Sequence, residues 1–234
     1  MFNFVPDIKK ILLLQRNEYQ NNLSKYFRKI LGREIYTRLL INILNNDLDK
    51  INKSFYRDIS IEFDRFKSYL PNPVNNILDI GCGVGAINIF LNKFYENRPK
   101  FHLLDKNYVS NKIVYGFKKS KTEGYNNLEV TKKFLEANDI SLKNIYTYDA
   151  DKNELKVIKY DLVISLVSWG YHYPIETYIK YLKESSNEKT VFIFDIADEY
   201  VSIEDVKKYF NKIDIVDEYL KKHNQIRLVC SEII

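Results

Sequence analysis

The chain changes rhythm once along its length. Up to about Leu70 its apolar residues fall three and four apart: "IKKILLLQRNEYQNNLSKYFRKIL" and "REIYTRLLINILNNDLDKI" both carry the helical period, and no alternating segment separates them. "LPNPVNN" then interrupts the pattern, because Pro71 and Pro73 force extended backbone on the residues before them. Beyond it, short apolar runs alternate with amphipathic stretches. Strands are predicted at 76–80, 101–105, 144–149, 160–167 and 190–196, and helices at 84–97, 127–138, 175–186 and 202–212. Nearly continuous apolar strands with helices between them indicate a parallel sheet covered on both faces. The ending departs from this plan. "DIVDEYLKKHNQIRLVCSEII" reads as two strands joined by "KKHNQ", too short for a crossover helix, so the last pair is antiparallel. The expected fold is α/β: a doubly wound, mostly parallel seven-stranded sheet ending in an antiparallel hairpin, with a helical N-terminal cap over 1–74 and the main domain over 75–234.

Composition narrows the class. Hydrophobic residues make up 45% and charged residues 29%, as in soluble globular proteins. No apolar run approaches the roughly 18 residues of a spanning helix, and "MFNFVPDIKK" lacks the basic-then-apolar order of a signal peptide, so the cytoplasm is the expected location. Cys82 and Cys230 are the only cysteines, too few and too distant for a disulfide framework, and reduced thiols are expected. The net charge of +5 comes from residues 1–74, which hold 13 Lys plus Arg against 8 Asp plus Glu, while 75–234 hold 23 of each. That excess suits a solvated helical surface, an anionic substrate or RNA.

One stretch stands out chemically. In "NILDIGCGVGAINIF" three of the chain's seven glycines fall on five positions, directly after the first predicted strand. Ligands of open parallel sheets sit outside the carboxyl ends of the strands, where this loop meets a helix N-terminus. Gly81, Gly83 and Gly85 let the backbone turn and a ligand come close. Dinucleotide sites and phosphate loops use similar turns. Asp79, two residues before the first glycine, gives nothing to a phosphate loop, and no Lys-Ser or Lys-Thr follows the glycines.

Asp79, Gly81, Gly83 and Gly85 match the Asp/Glu-x-Gly-x-Gly-x-Gly motif of class I S-adenosylmethionine-dependent methyltransferases, which residues 75–234 resemble through to the terminal hairpin. The resemblance implies S-adenosylmethionine as cofactor, with its methionine end on the Gly81–Gly85 backbone. It further implies that Asp105, ending the second strand, holds the ribose hydroxyls, and that Asp149 or its neighbour Asp151 meets the adenine, Asp149 being preferred. Cys82, in that loop without a thiolate-stabilising cation beside it, and Ser165, ending the fourth strand, are expected to line the cofactor site.

In this fold the acceptor enters beside the fourth strand, which runs here into "SLVSWGYHYP". That segment holds the only tryptophan, Trp169, with Tyr171, His172 and Tyr173. The Asn/Asp-Pro-Pro-Tyr/Phe tetrapeptide of base-amino methyltransferases is missing, and "SLVSW" offers no acidic metal ligands, so no metal is expected. A hydroxyl acceptor with His172 as general base remains. Asp195, in "FDIAD", is expected to orient His172 or to bind the acceptor; the competing reading of Asp195 and Asp198 is a helix N-terminal acid cluster. An insertion at about 106–126, with Tyr108 and Tyr115, is expected over the acceptor pocket, beneath the N-terminal lid. The combination loosely resembles methyltransferases of bacterial surface polysaccharides, which implies a small sugar-like, phosphorylated or nucleotide-linked acceptor and a monomer or homodimer. An RNA methyltransferase is the alternative enzyme and a non-catalytic scaffold the alternative class; no Arg-rich run or appended RNA-binding module favours the former.

Overall fold

The computed structural model describes residues 1–20, 22–23, 26–27, 30, 47–109, 126–152, 155–218 and 224–234. Its centre is a seven-stranded sheet in the order β3-β2-β1-β4-β5-β7-β6. The strands are β1 (Asn76–Ile80), β2 (Lys100–Asp105), β3 (Ile145–Asp149), β4 (Leu162–Ser165), β5 (Val191–Ala197), β6 (Phe210–Glu218) and β7 (Gln225–Ile233). The first five are mutually parallel where they pair, and β7 runs antiparallel to both β5 and β6. The order reverses between β1 and β4, which opens a crevice at their carboxyl ends.

The helices are α1 (Ile8–Gln15), α2 (Leu48–Phe66), α3 (Ala86–Phe94), α4 (Leu128–Ala137), α5 (Glu176–Ser185) and the short α6 (Ile203–Val206). One helix is much shorter than the predicted 202–212. Ser202 and Asp205 form a capping box, but the chain leaves the helix after Val206, and Phe210 begins β6. Phe210 is buried with its ring 4.9 Å from Phe192 and 5.9 Å from Phe194. Pairing β6 with the edge of β7 and burying that ring outweigh local helix propensity. The fourth strand is also shorter than predicted, because Val167 takes a left-handed backbone, φ 62°.

Each sheet face has its own core. Ile77, Phe101, Leu103, Ile164 and Ile193 point toward α1 to α4, while Leu78, Leu104, Val163, Phe192 and Phe194 point toward α5 and α6. The period of two along each strand explains the division. The N-terminal helices belong to the first core. In α1, Ile8, Ile11, Leu12, Leu13 and Leu14 are all buried, and α2 buries Phe55, Ile59, Phe63 and Phe66 along one stripe. Phe2 lies among the rings of Phe55, Tyr56 and Phe134 at centroid distances of 5.0 to 5.5 Å. Its backbone exchanges two hydrogen bonds with Asn52, and that of Asn3 does the same with Asn138. Residue 74 therefore does not divide two cores: the described N-terminal residues are packed into the main domain. Among the described residues no helix is long and apolar enough to cross a membrane.

Candidate active site

The glycine loop is built from both directions. Leu104 O, next to the end of β2, accepts from the N–H groups of Gly81 (2.7 Å) and Cys82 (3.2 Å), which pins the loop to its neighbour strand. Gly81, Gly83 and Gly85 all have positive φ. Space matters as much as angle at Gly81, where an added Cβ would sit 2.0 Å from Ser168 Oγ. The loop after β4 thus rests directly on the glycine loop, as expected of two walls of one cleft. Gly83 faces the end of α1, and its added Cβ would lie 2.8 Å from Gln15 Oε1.

Asp105 closes the loop from the side. Its Oδ2 accepts from Gly83 N (2.7 Å) and Asn126 Nδ2 (3.1 Å), and its Oδ1 from Lys106 N (2.7 Å). Asn126 also donates to Gly83 O (2.6 Å), as does Thr131 Oγ1 (2.9 Å). Asp79 is 3% exposed, and among the described residues its side-chain partner is Asn88 Nδ2, 2.6 Å from Oδ2. Burial raises Asp79 to about 7, with the Asn88 bond opposing and the charge of Asp105 adding to the rise. Burial likewise raises Asp105 to about 6, against the hydrogen bonds from Gly83, Lys106 and Asn126 and the weaker pull of the Lys106 charge. Lys106 spends its ammonium on Asp151, 3.1 Å away. Burial, helped by both carboxylates, also holds the half-buried Cys82 as a neutral thiol. Among the described residues, the loop is flanked by two carboxylates, and the cation acting on them is Lys106, on Asp105.

The third-strand acids sit farther out. Asp149 accepts from Asp151 N (3.1 Å) and pairs with Lys152 (3.6 Å). The charge of Asp151 also reaches Tyr173, after β4, and Tyr178, in α5. Burial first, then the charges of Asp105 and Asp151, push both hydroxyls up, Tyr178 to about 12. Tyr173 thus faces the Asp105 side of the cleft rather than standing apart from it.

The segment after β4 is a tight knot. Ser168 O accepts the N–H groups of Tyr171 (3.1 Å), His172 (2.7 Å) and Tyr173 (3.1 Å). Ser165 is fully buried, donating to Ile80 O and accepting from Trp169 N, both at 2.8 Å, so it braces the strand ends from within. Trp169 is buried too; its indole N–H donates to Ile175 O at 2.8 Å and its ring lies 4.7 Å from Phe194. The expectation that Trp169 touches the acceptor is corrected, because a side chain with no exposed surface supports the loop from behind. Asp195 is corrected for the same reason. It is 0% exposed, and its carboxylate accepts from Arg227, Gln225 and Val167 N, which leaves it to the interior rather than to His172 or an acceptor. His172 is exposed, its ring edge-on to the buried Tyr171 at 4.9 Å. Burial raises the Tyr171 hydroxyl, with Asp195, Glu199 and Tyr200 adding to the effect. Tyr115 and most of the 106–126 insertion lie outside the described residues. Gln15, Asn88, Asn126 and Thr131 carry no motif; only the three-dimensional arrangement finds them.

No protein-family model and no curated protein sequence matches the chain. Among solved structures, a candidate O-methyltransferase from Nostoc punctiforme PCC 73102 is similar with a TM-score of 0.51 at 14% identity, over 78% of this chain and 60% of that one. The fold is that of a class I methyltransferase. This chain spans 60% of the length of the Nostoc protein. Two further structures are similar at 12% identity and a TM-score of 0.48: precorrin-6y C5,15-methyltransferase from Geobacter metallireducens GS-15, over 74% of this chain and 86% of that one, and the N-methyltransferase NodS from Bradyrhizobium japonicum WM9 in complex with S-adenosyl-L-homocysteine, over 90% and 98%. In a methyltransferase fold of this strand order, the crevice between β1 and β4 is the place where Gly81 and Ser168 meet.

Proposed function

We propose that the protein transfers a methyl group from S-adenosylmethionine to a hydroxyl of a small, polar, sugar-like acceptor. The observation that carries the cofactor reading is the pair of carboxylates at the Gly81–Gly85 loop, Asp79 just before it and Asp105 bonded to Gly83 within it. Among the described residues, the groups acting on Asp79 are Asn88 and Asp105, neither of them cationic. Such a site favours a ligand that brings positive charge and disfavours the pyrophosphate of a dinucleotide. S-Adenosylmethionine supplies a methyl group on a positively charged sulfur, together with an ammonium group.

The chain's own residues divide the remaining work. The backbone of Gly81 to Gly85 would carry the methionine end; the missing Cβ atoms let Ser168, Gln15 and Leu135 close on the loop and hold it in shape. Asp105 offers its carboxylate to the ribose hydroxyls, and Asp149 stands by the adenine. Tyr173 and Tyr178 wall the Asp105 side, and Tyr171 with His172 faces the acceptor. With S-adenosylmethionine bound, His172 would take the hydroxyl proton as the acceptor oxygen replaces the sulfonium sulfur on the methyl carbon, so that the carbon–sulfur bond breaks and S-adenosylhomocysteine, a methyl ether and protonated His172 result. In-line alignment contributes effective molarities of roughly 10⁵ to 10⁸ M, so proton removal can trail methyl transfer. The N-terminal region covers the cleft through α1, whose Gln15 reaches Gly83. The basic excess of residues 1–74 leaves a phosphorylated or nucleotide-linked acceptor as the second reading.

The test is calorimetry with S-adenosylmethionine and S-adenosylhomocysteine, followed by incubation of the protein and cofactor with lysate metabolites, nucleotide sugars and RNA. Mass spectrometry should find a gain of one methyl group on a small hydroxylated compound. Absence of cofactor binding refutes the enzyme reading, and methylated RNA refutes the acceptor class.

A further inference from the structure

We propose that Asp195 is a positioning residue that sets the distance between the loop after β4 and the glycine loop, by holding Val167 in a backbone conformation that valine does not adopt on its own. The proposal rests on reading that cleft as the cofactor site. Val167 has φ 62°. A β-branched residue in the left-handed region is an outlier that persists only where its surroundings impose it. What imposes it here is a hydrogen bond of 3.1 Å from Val167 N to Asp195 Oδ2.

Asp195 is itself fixed. It stands directly across from Arg227 in the β5–β7 pair, and Arg227 grips it with two bonds, Nε to Oδ1 at 2.8 Å and Nη2 to Oδ2 at 3.0 Å. Gln225 Nε2 adds a third contact at 2.9 Å. The remaining arm of the guanidinium reaches α2, with Nη1 2.6 Å from Glu62 Oε2, and the guanidinium lies 5.8 Å from the centre of the Phe66 ring. Arg227 is 1% exposed and Asp195 0%. A buried, forked pair with every oxygen engaged has little freedom to move. The line Glu62, Arg227, Asp195 therefore carries the position of the N-terminal helix to the backbone of Val167.

The next residue shows why this matters. Ser168 is the side chain that touches Gly81, and its carbonyl gathers the N–H groups of Tyr171, His172 and Tyr173. Gly170 is fitted against the same strand, where an added Cβ would lie 3.0 Å from Asp195 O. Rotating Val167 into the ordinary right-handed or extended region would swing Ser168 off Gly81 and carry the three aromatic residues with it.

Asp195→Asn, Val167→Gly and the double variant separate this role from simple packing, with S-adenosylhomocysteine as the calorimetric probe. Binding by the unaltered protein tests the cofactor reading on its own. Given binding, Asp195→Asn should weaken it about tenfold, because only a fraction of molecules hold the competent loop. Adding Val167→Gly should restore it to within about threefold, since glycine enters positive φ without strain. Wild-type affinity in folded Asp195→Asn, or no recovery in the double variant, overturns the proposal. Asp195→Asn strands Arg227 and endangers folding, so Glu62→Gln is the second variant. It leaves Arg227 on Asp195, and it should raise amide hydrogen exchange across residues 166–173 in the ligand-free protein. Unchanged exchange there overturns the proposal whether or not the probe binds.

Discussion

Ser168 Oγ occupies the space that a Cβ on Gly81 would need, 2.0 Å from its ideal position. The glycine at 81 is thus required twice, by φ 71° and by Ser168 in the loop after β4. Gly81→Ala should lose cofactor binding by more than about tenfold and destabilise the protein by roughly 1–3 kcal/mol. Calorimetry and thermal melting measure the two effects. Ser168→Gly in the same chain should return part of the stability, leaving the backbone strain; no return would mean that the contact is not the source of the cost.

The buried carboxylates predict a pH dependence with a definite sign. Asp79 lies at about 7 and Asp105 at about 6, both above the value near 4 that they have in the unfolded chain. Their contribution to stability is therefore full below about pH 4 and is lost as pH rises through 6 and 7. A cationic ligand favours the ionised forms, so S-adenosylmethionine affinity should rise between pH 5.5 and 8, and binding near pH 6.5 should release protons. Calorimetry in two buffers of different ionisation enthalpy counts those protons. Equal heats in both would mean that the ligand's charge does not meet Asp79 and Asp105.

Much of this was legible in the chain because the relevant signals are local. The short, nearly continuous apolar runs "NILDI" and "TVFIFDI", and the glycine spacing after Asp79, fix β1, β5 and the loop with no knowledge of their partners. The short connection "KKHNQ" gave the antiparallel hairpin for the same reason. What was hidden depends on partners distant in sequence. Nothing near Asp195 announces that Arg227 stands across from it, so an internal ion pair read as an acceptor contact. Nor does anything in "NNLEVTKK" distinguish Asn126, whose amide bridges Gly83 and Asp105, from its neighbour Asn127, the cap of α4. Trp169 attracted a substrate role because it is rare, whereas its indole N–H satisfies a turn carbonyl. The N-terminal helices and the sheet domain that follows residue 74 share one core, with Phe2 packed against Phe134.

That shared core makes the N-terminus a stability element. Phe2 is 4% exposed, inserted among Phe55, Tyr56 and Phe134, with its backbone bonded to Asn52. Phe2→Ala should cost about 3–5 kcal/mol, as for other buried aromatic truncations. A chain starting at Pro71 would expose the faces that α1 and α2 cover, and it should fail to fold cooperatively in thermal and urea melts. A cooperative melt from that fragment would mean that residues 1–70 are a detachable lid after all.

His172 is the test of the acceptor chemistry. The residue is exposed, rests edge-on against Tyr171, and is held by its backbone to Ser168, the residue that touches Gly81. That chain of contacts places it beside the glycine loop but leaves its ring out of the buried Asp79–Asp105 set. His172→Gln should therefore lower the chemical rate by roughly 10² to 10⁴, the usual share of a general base, with cofactor affinity unchanged. The acid limb of the rate needs care, because Asp79 and Asp105 also titrate in the folded protein. At saturating cofactor the binding contribution of those two carboxylates drops out of kcat. The remaining fall toward low pH should then follow protonation of His172, and the Gln variant should lose it. If His172→Gln keeps near-normal kcat with the identified acceptor, or keeps the same acid limb, the histidine belongs to the pocket wall and alignment of the acceptor alone drives transfer.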